Sequence, residues 1–241
     1  TNATESNLDT GTYTINVADA IGCTLLDSVI IIAPPDFPTS MASTDVSCNS
    51  GSDGTATVTA LGGTPTYIYL WSTSGTTSSI SGLPSGEVSA IITDDNGCVA
   101  YDTIIVSEPV AFATGIIPVN VSCYGGSNGS ANLTVTGGIM PYTFAWSTSA
   151  TSEDVTGLTT GMYIVTITDS NSCITMDSVF INEPALLTTS ITKTDVSCKG
   201  YGDGTATVSP VGGTPPYLYL WNIGQTDSTA IGLFAGTYGV N

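Results

Sequence analysis

Apolar and polar residues alternate along this chain in short bursts, and no burst has the periodicity of an amphipathic helix. Between 44 and 109 the bursts read as strands separated by turn chemistry. One strand ends in "TDVSC" (44–48), and "NSGSDG" (49–54) turns the chain into "TATVTAL" (55–61). The loop "GGTPT" (62–66) leads to "YIYLWS" (67–72), where Tyr67, Tyr69 and Trp71 share one face. An intermediate strand at "SSISGL" (78–83) is followed by the turn "LPSG" (83–86) and the strand "EVSAIIT" (87–93). "DDNG" (94–97) closes a hairpin onto "CVAYDTIIVSEP" (98–109). Six or seven short strands with one core tryptophan predict an all-β, immunoglobulin-like sandwich.

The same phrase recurs at a fixed step. Trp71, Trp146 and Trp221 stand 75 residues apart, and each is expected to anchor a core. The glycine pairs beginning at Gly62, Gly137 and Gly212, the prolines Pro34, Pro109 and Pro184, and Asp19, Asp94 and Asp169 keep the same spacing. The expected organisation is two whole repeats, 35–109 and 110–184. They are flanked by the C-terminal part of a repeat at 1–34 and the N-terminal part of another at 185–241. Because both ends fall inside a repeat, the chain reads as a segment of a longer, elongated array. A sandwich of this size has a marginal core, so neighbour contacts or disulfides are expected to support it.

Composition narrows the function classes. Two lysines (Lys193 and Lys199), no arginine and no histidine stand against 20 acidic residues, a formal charge of −18. Affinity for phosphate backbones comes from Lys and Arg, so nucleic acid is not an expected partner, nor is an anionic lipid surface. The apolar runs suit strands rather than membrane-crossing helices, so no membrane insertion by this segment is expected. No signal peptide opens the sequence. Without histidine the usual general base and a common zinc ligand are missing, and no lysine recurs that could activate a nucleophile. Every acidic cluster belongs to the repeat, whereas a glycosidase pair would arise once. The expectation is no catalysis and no cofactor.

The turn "VSC…DG" is the first candidate for chemistry. Asp53, Asn128 and Asp203 precede Gly54, Gly129 and Gly204. A calcium site needs six to eight oxygens, usually from several carboxylates, whereas "NSGSDG" offers one carboxylate and the second repeat substitutes Asn128. Asp/Asn-Gly is read as a turn, with glycine supplying a positive φ. Asp94, Asp95, Asp169 and Asp19 form a second acidic series at the last hairpin, read as hairpin closure. Weak Ca2+ association at repeat junctions through these carboxylates is the alternative. Tyr67, Tyr142 and Tyr217 are read as core rings, with a glycan platform as the competing use.

Cysteines come in two series, Cys23, Cys98, Cys173 and Cys48, Cys123, Cys198. Two per repeat in an oxidising context favour disulfides. Cys48 lies at one end of the expected sandwich and Cys98 at the other. A strand of about seven residues spans roughly 23 Å, while bonded Cα atoms lie within about 7 Å. Cys48–Cys173, across the junction of successive repeats, is therefore favoured, with Cys23, Cys98, Cys123 and Cys198 finding partners outside the segment. Intra-repeat Cys48–Cys98 and Cys123–Cys173 bonds stay open, as do free thiols.

The series "VSC-x-G-x-x-D-G-T-A-T-V…GG-x-P-P-Y-x-Y-x-W…G-L-x-x-G-x-Y…T-D-x-N-G-C…D-S-V…EP" resembles the SprB-type repeat of Bacteroidota surface adhesins, which is akin to polycystic-kidney-disease-type domains. "LPSGEV" (83–88) lacks the tyrosine and "GGIMPY" (137–142) changes one loop residue. The resemblance implies a long protein secreted by the type IX pathway, displayed extracellularly in cell-surface filaments used for gliding or attachment. Partners would be neighbouring repeats of the same chain, other filament chains, and a surface ligand or glycan. "DSV" (27–29), "DTI" (102–104), "DSV" (177–179) and "DST" (227–229) resemble the O-glycosylation acceptor of secreted Bacteroidota proteins, which would place sugar on Ser28, Thr103, Ser178 and Ser228. Asn-x-Ser/Thr occurs at Asn2, Asn120, Asn128 and Asn132 without the 75-residue period. The expected role is a structural shaft segment. A glycan-binding module and a spacer between a secreted enzyme and its surface anchor are the competing roles.

Overall fold

A computed structural model describes residues 4–34 and 36–241, so Asn2 lies outside the described residues. They form strands joined by turns and loops, with no helix among them, and the chain divides into two compact units after Glu108.

The first unit opens with a hairpin of β1 (Gly11–Ala18) and β2 (Thr24–Ile31). A sandwich follows, built from β3 (Thr39–Thr44), β4 (Gly54–Ala60), β5 (Ile68–Trp71), β6 (Ser79–Leu83), β7 (Gly86–Thr93) and β8 (Val99–Val106). One antiparallel sheet has the order β3-β4-β6 and the other β5-β7-β8. Period-two alternation decides what faces inward: Ala56 and Val58 of β4, and Val88, Ala90 and Ile92 of β7, are buried, and the Thr and Ser between them are not. Trp71, Leu83, Val46 and Val106 complete the core.

β8 closes the sandwich by running alongside β3 in the same direction. Thr39 Oγ1 donates to Asp102 Oδ2 (2.9 Å) near one end, and Val46 N–H donates to the Ser107 carbonyl (2.9 Å) near the other. Ser107 N–H in turn donates to Asp45 Oδ1 (3.0 Å).

The second unit repeats this plan with β9 (Ala113–Val119), β10 (Gly129–Thr136), β11 (Thr143–Trp146), β12 (Val155–Leu158), β13 (Gly161–Thr168) and β14 (Ile174–Ile181). Sheet orders are β12-β10-β9 and β11-β13-β14, around a core that includes Trp146, Leu133, Val165, Ile167 and Ile181. The pairing of Gly86 with Val106 is kept between Gly161 and Ile181, and also between Gly11 and Ile31 of the first hairpin. The unit ends with β15 (Thr188–Thr194), β16 (Gly204–Val211) and β17 (Thr229–Leu233), one sheet facing Trp221 and an isolated bridge from Trp221 to Val240. The fold is a tandem of immunoglobulin-like sandwiches.

Candidate functional site

The recurring loop after "VSC" is held by one side-chain clamp. In the first whole repeat the backbone N–H of Ser47 donates to Asp53 Oδ1 (2.9 Å), and the Ser47 hydroxyl donates to Asp53 Oδ2. Ser197 and Asp203 repeat the arrangement in the third. In the second, Ser122 N–H donates to Asn128 Oδ1 (3.0 Å) and Asn128 Nδ2 donates to Ser122 Oγ (2.7 Å). The amide does the carboxylate's work because the hydroxyl can either donate or accept. What the position needs is an oxygen that accepts from the backbone and a second atom for the serine, not a charge. The Ser47 hydroxyl and then its N–H hold the Asp53 carboxyl below its ordinary value, and Ser197 does the same to Asp203.

The glycine after the clamp has a different role from the one its turn setting predicts. Gly54, Gly129 and Gly204 open strands and are absent from the positive-φ positions, which in this loop are Ser50, Gly125 and Gly200. The reason for glycine is close approach. A Cβ on Gly54 would lie 2.7 Å from Val106 Cγ1 and 2.9 Å from the Leu83 carbonyl oxygen. On Gly129 it would lie 2.8 Å from Ile181 Cγ2 and 2.9 Å from the Leu158 oxygen.

At the β7–β8 turn, Asp94 is buried and accepts from three backbone amides. Thr64 N–H reaches Oδ2 (2.8 Å), while Asn96 and Cys98 N–H reach Oδ1 (3.0 and 2.8 Å). Asp169 is matched by Ile139 N–H on Oδ2 and by Asn171 and Cys173 N–H on Oδ1, each at 2.9 Å. The Thr64 N–H, with help from Cys98 and Asn96, lowers the Asp94 carboxyl. For Asp169 burial pushes the other way, and the Ile139, Cys173 and Asn171 amides outweigh it. These aspartates tie the hairpin turn to the loop beginning at the glycine pair. Asp95 is exposed beside Asp94. In the first hairpin Asp19 Oδ1 accepts from its own turn, through Ile21 (3.0 Å) and Cys23 (2.9 Å).

The aromatic residues are committed to the fold in the same way. The indole N–H groups of Trp71, Trp146 and Trp221, all buried, donate to the carbonyls of Thr77 (2.8 Å), Ser152 (3.0 Å) and Asp227 (2.9 Å). Tyr67, Tyr142 and Tyr217 are half-buried, and their hydroxyls donate to the Gly62, Gly137 and Gly212 carbonyls. Tyr67 stacks on Phe37 at 5.8 Å and Tyr142 meets Phe112 at 6.0 Å, so these rings pack inward rather than forming an open platform.

Cys48 and Cys173 are disulfide-bonded, and Cys23, Cys98, Cys123 and Cys198 are free thiols. The intra-repeat pairs Cys48–Cys98 and Cys123–Cys173 are therefore not formed. Cys48 follows Val46, which bonds the far end of β8, whereas Cys98 precedes the near end. The length of β8 keeps them apart. The hydroxyl-bearing residues Ser28, Thr103, Ser178 and Ser228 are all exposed. The aspartate before each of the first three accepts the N–H of the Ser or Thr that follows it (2.8, 2.9 and 2.7 Å).

Two recurring contacts escape a pattern-based reading. Glu108 Oε2 accepts from Ser50 N–H (2.6 Å) and Glu183 Oε2 from Gly125 N–H (2.7 Å), fastening the end of each closing strand to the clamp loop. The signal was the glutamate of each "EP" pair, at the 75-residue step. Among the described residues no group of three or more His, Cys, Asp or Glu side chains is arranged to hold a metal ion. No helix among them is long and apolar enough to cross a membrane.

The model of the SprB repeat matches the chain at residues 40–76, 115–151 and 190–226. No curated protein matches it. Among solved structures it is similar to the N-terminal eight immunoglobulin domains of Down Syndrome Cell Adhesion Molecule, at 12% identity and a TM-score of 0.39, over 88% of this chain and 32% of that one. It is also similar to immunoglobulin domains 1 and 2 of DIP-gamma, at 13% identity and a TM-score of 0.31, over 62% of this chain and 98% of that one.

Proposed function

Because the chain is a tandem array of SprB repeats, we propose that it is a structural shaft segment of a secreted cell-surface filament or adhesin, serving attachment or gliding and performing no catalysis. The observation that carries this reading is the internal use of the recurring polar and aromatic groups. Asp53, Asp94, Asp169 and Asp203, the tryptophans and the three loop tyrosines all bond within their own repeat. Such a unit is suited to serial repetition rather than to turnover. Export by the type IX pathway and O-glycosylation at Ser28, Thr103, Ser178 and Ser228 belong to the same reading. So does weak Ca2+ association with the acidic surface, which unequal unfolding temperatures in calcium and in chelator would reveal.

The cysteines add a covalent element: Cys48–Cys173 ties one whole repeat to the next, supported by the free state of Cys98 and Cys123. Peptide mapping without reduction is expected to yield a Cys48–Cys173 cross-linked species; a Cys48–Cys98 species would overturn the tie. For the function itself, antibodies against residues 36–184 are expected to label intact cells along surface fibres. Label seen only after lysis would refute surface display.

A further inference from the structure

The Cys48–Cys173 bond re-routes any pull along the chain. Cys48 follows β3 by four residues, and Cys173 immediately precedes β14. Among the described residues the other cysteines are free, so no second bridge competes. A pull applied before Thr39 and after Ile181 has a continuous covalent path through β3, the two sulfurs and β14. The 124 residues from Asn49 to Ser172 lie off that path. They include β4 to β8 and β9 to β13, the greater part of both sandwiches.

Each sandwich is then crossed by one strand only. In the first, force enters at the start of β3 and leaves through Cys48, so β8 is not drawn away from it. The Thr39–Asp102 and Val46–Ser107 bonds, which join β8 to this segment, carry none of the pull. In the second, force enters at Cys173 and leaves after Ile181. There β13, paired with β14, and β9, joined to it through Thr114–Asp177, are likewise off the path. A strand rises about 3.3 Å per residue, close to the roughly 3.3–3.6 Å that a residue can span at all. Pulled end to end, β3 and β14 have almost no length to give.

We propose that the bond is a redox-gated lock on extension. Oxidised, the chain transmits a pull without opening either sandwich; reduced, both sandwiches enter the path. The reductant is a dithiol. Its first thiolate attacks the half-buried Cys48 sulfur rather than the buried Cys173 and displaces Cys173 as a thiolate. Its second thiol then closes on the first, which releases Cys48. The dithiol ends as a cyclic disulfide, and its two protons end on Cys48 and Cys173. At about 3.3 Å per residue the loop set free holds roughly 400 Å of chain. Release comes one sandwich at a time, because each has its own core. Thr39 to Val106 and Ala113 to Ile181 each gain about 200 Å on unfolding, once the roughly 25 Å length of the folded strands is subtracted.

The test is to hold the whole chain by its two ends at constant force, with the free thiols alkylated beforehand. Once opening elsewhere in the chain has finished, a dithiol is added. Two separate steps of about 200 Å are expected after the addition, and none of that size from this region before it. Cys48→Ser should give both steps without reductant. A single jump of about 400 Å would show that the sandwiches were already open behind the intact bond, and would overturn the shielding. No gain, a total gain well short of that length, or both steps before the dithiol is added would overturn it as well. The inference rests on the Cys48–Cys173 tie and not on surface display. With the tie verified by peptide mapping, the single jump sinks the lock alone.

Discussion

Replacing Gly129 by alanine tests the reading that this position is glycine because nothing else fits. The added Cβ would lie 2.8 Å from Ile181 Cγ2, 2.9 Å from the Leu158 oxygen and 3.2 Å from the Val119 oxygen. Carbon pairs are comfortable at about 3.5–4.0 Å, so the overlap with Ile181 is roughly 0.7 Å. Ile181 is fully buried and cannot swing away, and the Leu158 oxygen belongs to the backbone of β12, paired with β10 at this point. Overpacking of this kind costs about 1–3 kcal/mol, and two of the three neighbours are backbone atoms, which places Gly129→Ala in the upper half of that range. Hydrogen exchange resolved by peptide is the suitable assay, because it reports opening of each sandwich separately. Amides of β10 and β13 are expected to exchange about 30-fold to 150-fold faster, the equivalent of 2–3 kcal/mol. Gly115→Ala is the control: it lies in the same sandwich on β9, with open space at its Cβ position and no positive φ. It should leave exchange unchanged or slower. If Gly129→Ala exchanged like Gly115→Ala, the close-approach argument would fail.

Three further outcomes follow from the same geometry. Asp53→Asn is expected to leave exchange of the 47–54 loop unchanged, because Asn128 already makes this clamp, while Asp53→Ala should loosen it; equal loosening by both would show that charge matters. Trp146→Ala should lower stability by about 3–5 kcal/mol and Trp146→Phe by about 1–2 kcal/mol, through the unpaired Ser152 carbonyl; tryptophan-free denaturation curves followed by circular dichroism check both. The folded-state pKa of Asp169 is depressed, so its contribution is complete above the unfolded carboxylate value of about 3.9 and is lost as pH falls through the lower folded value. Acid titration of the unaltered chain should therefore show loosening of the 139 and 171–173 amides only below about pH 4, and Asp169→Asn should remove that pH dependence.

Much of the fold was legible because each strand obeys one rule at a time. Alternation around Ala56 and Val58, one tryptophan per repeat and a constant step sufficed to place sheets and cores. Gly54 was not legible. Asp-Gly before a strand reads as a left-handed turn, yet the positive φ sits at Ser50, and Gly54 answers to Val106, some fifty residues further along the chain. Likewise Asp94 carries no sign in the sequence that one of its oxygens serves Thr64. Contacts between segments distant in sequence are set by packing, and a local pattern contains only one partner of each. The Ser47–Asp53 pair shows the middle case: both residues recur together six apart, but only the geometry reveals that Asn can replace Asp there.

The side-by-side course of β3 and β8 has a mechanical consequence. Once the Cys48–Cys173 bond is reduced, a chain pulled from both ends enters a sandwich at β3 and leaves it at β8, which run in the same direction. Tension therefore slides the two strands past each other instead of peeling them apart one bond at a time. The Thr39–Asp102, Val46–Ser107, Ser107–Asp45 and Ser50–Glu108 bonds then share the load and must fail together. The second sandwich carries the same set through Thr114–Asp177, Val121–Asn182, Asn182–Asn120 and Gly125–Glu183. A domain loaded in shear resists through its unfolding barrier rather than its equilibrium stability. Such a repeat can be only marginally stable at rest and still withstand a brief, strong pull.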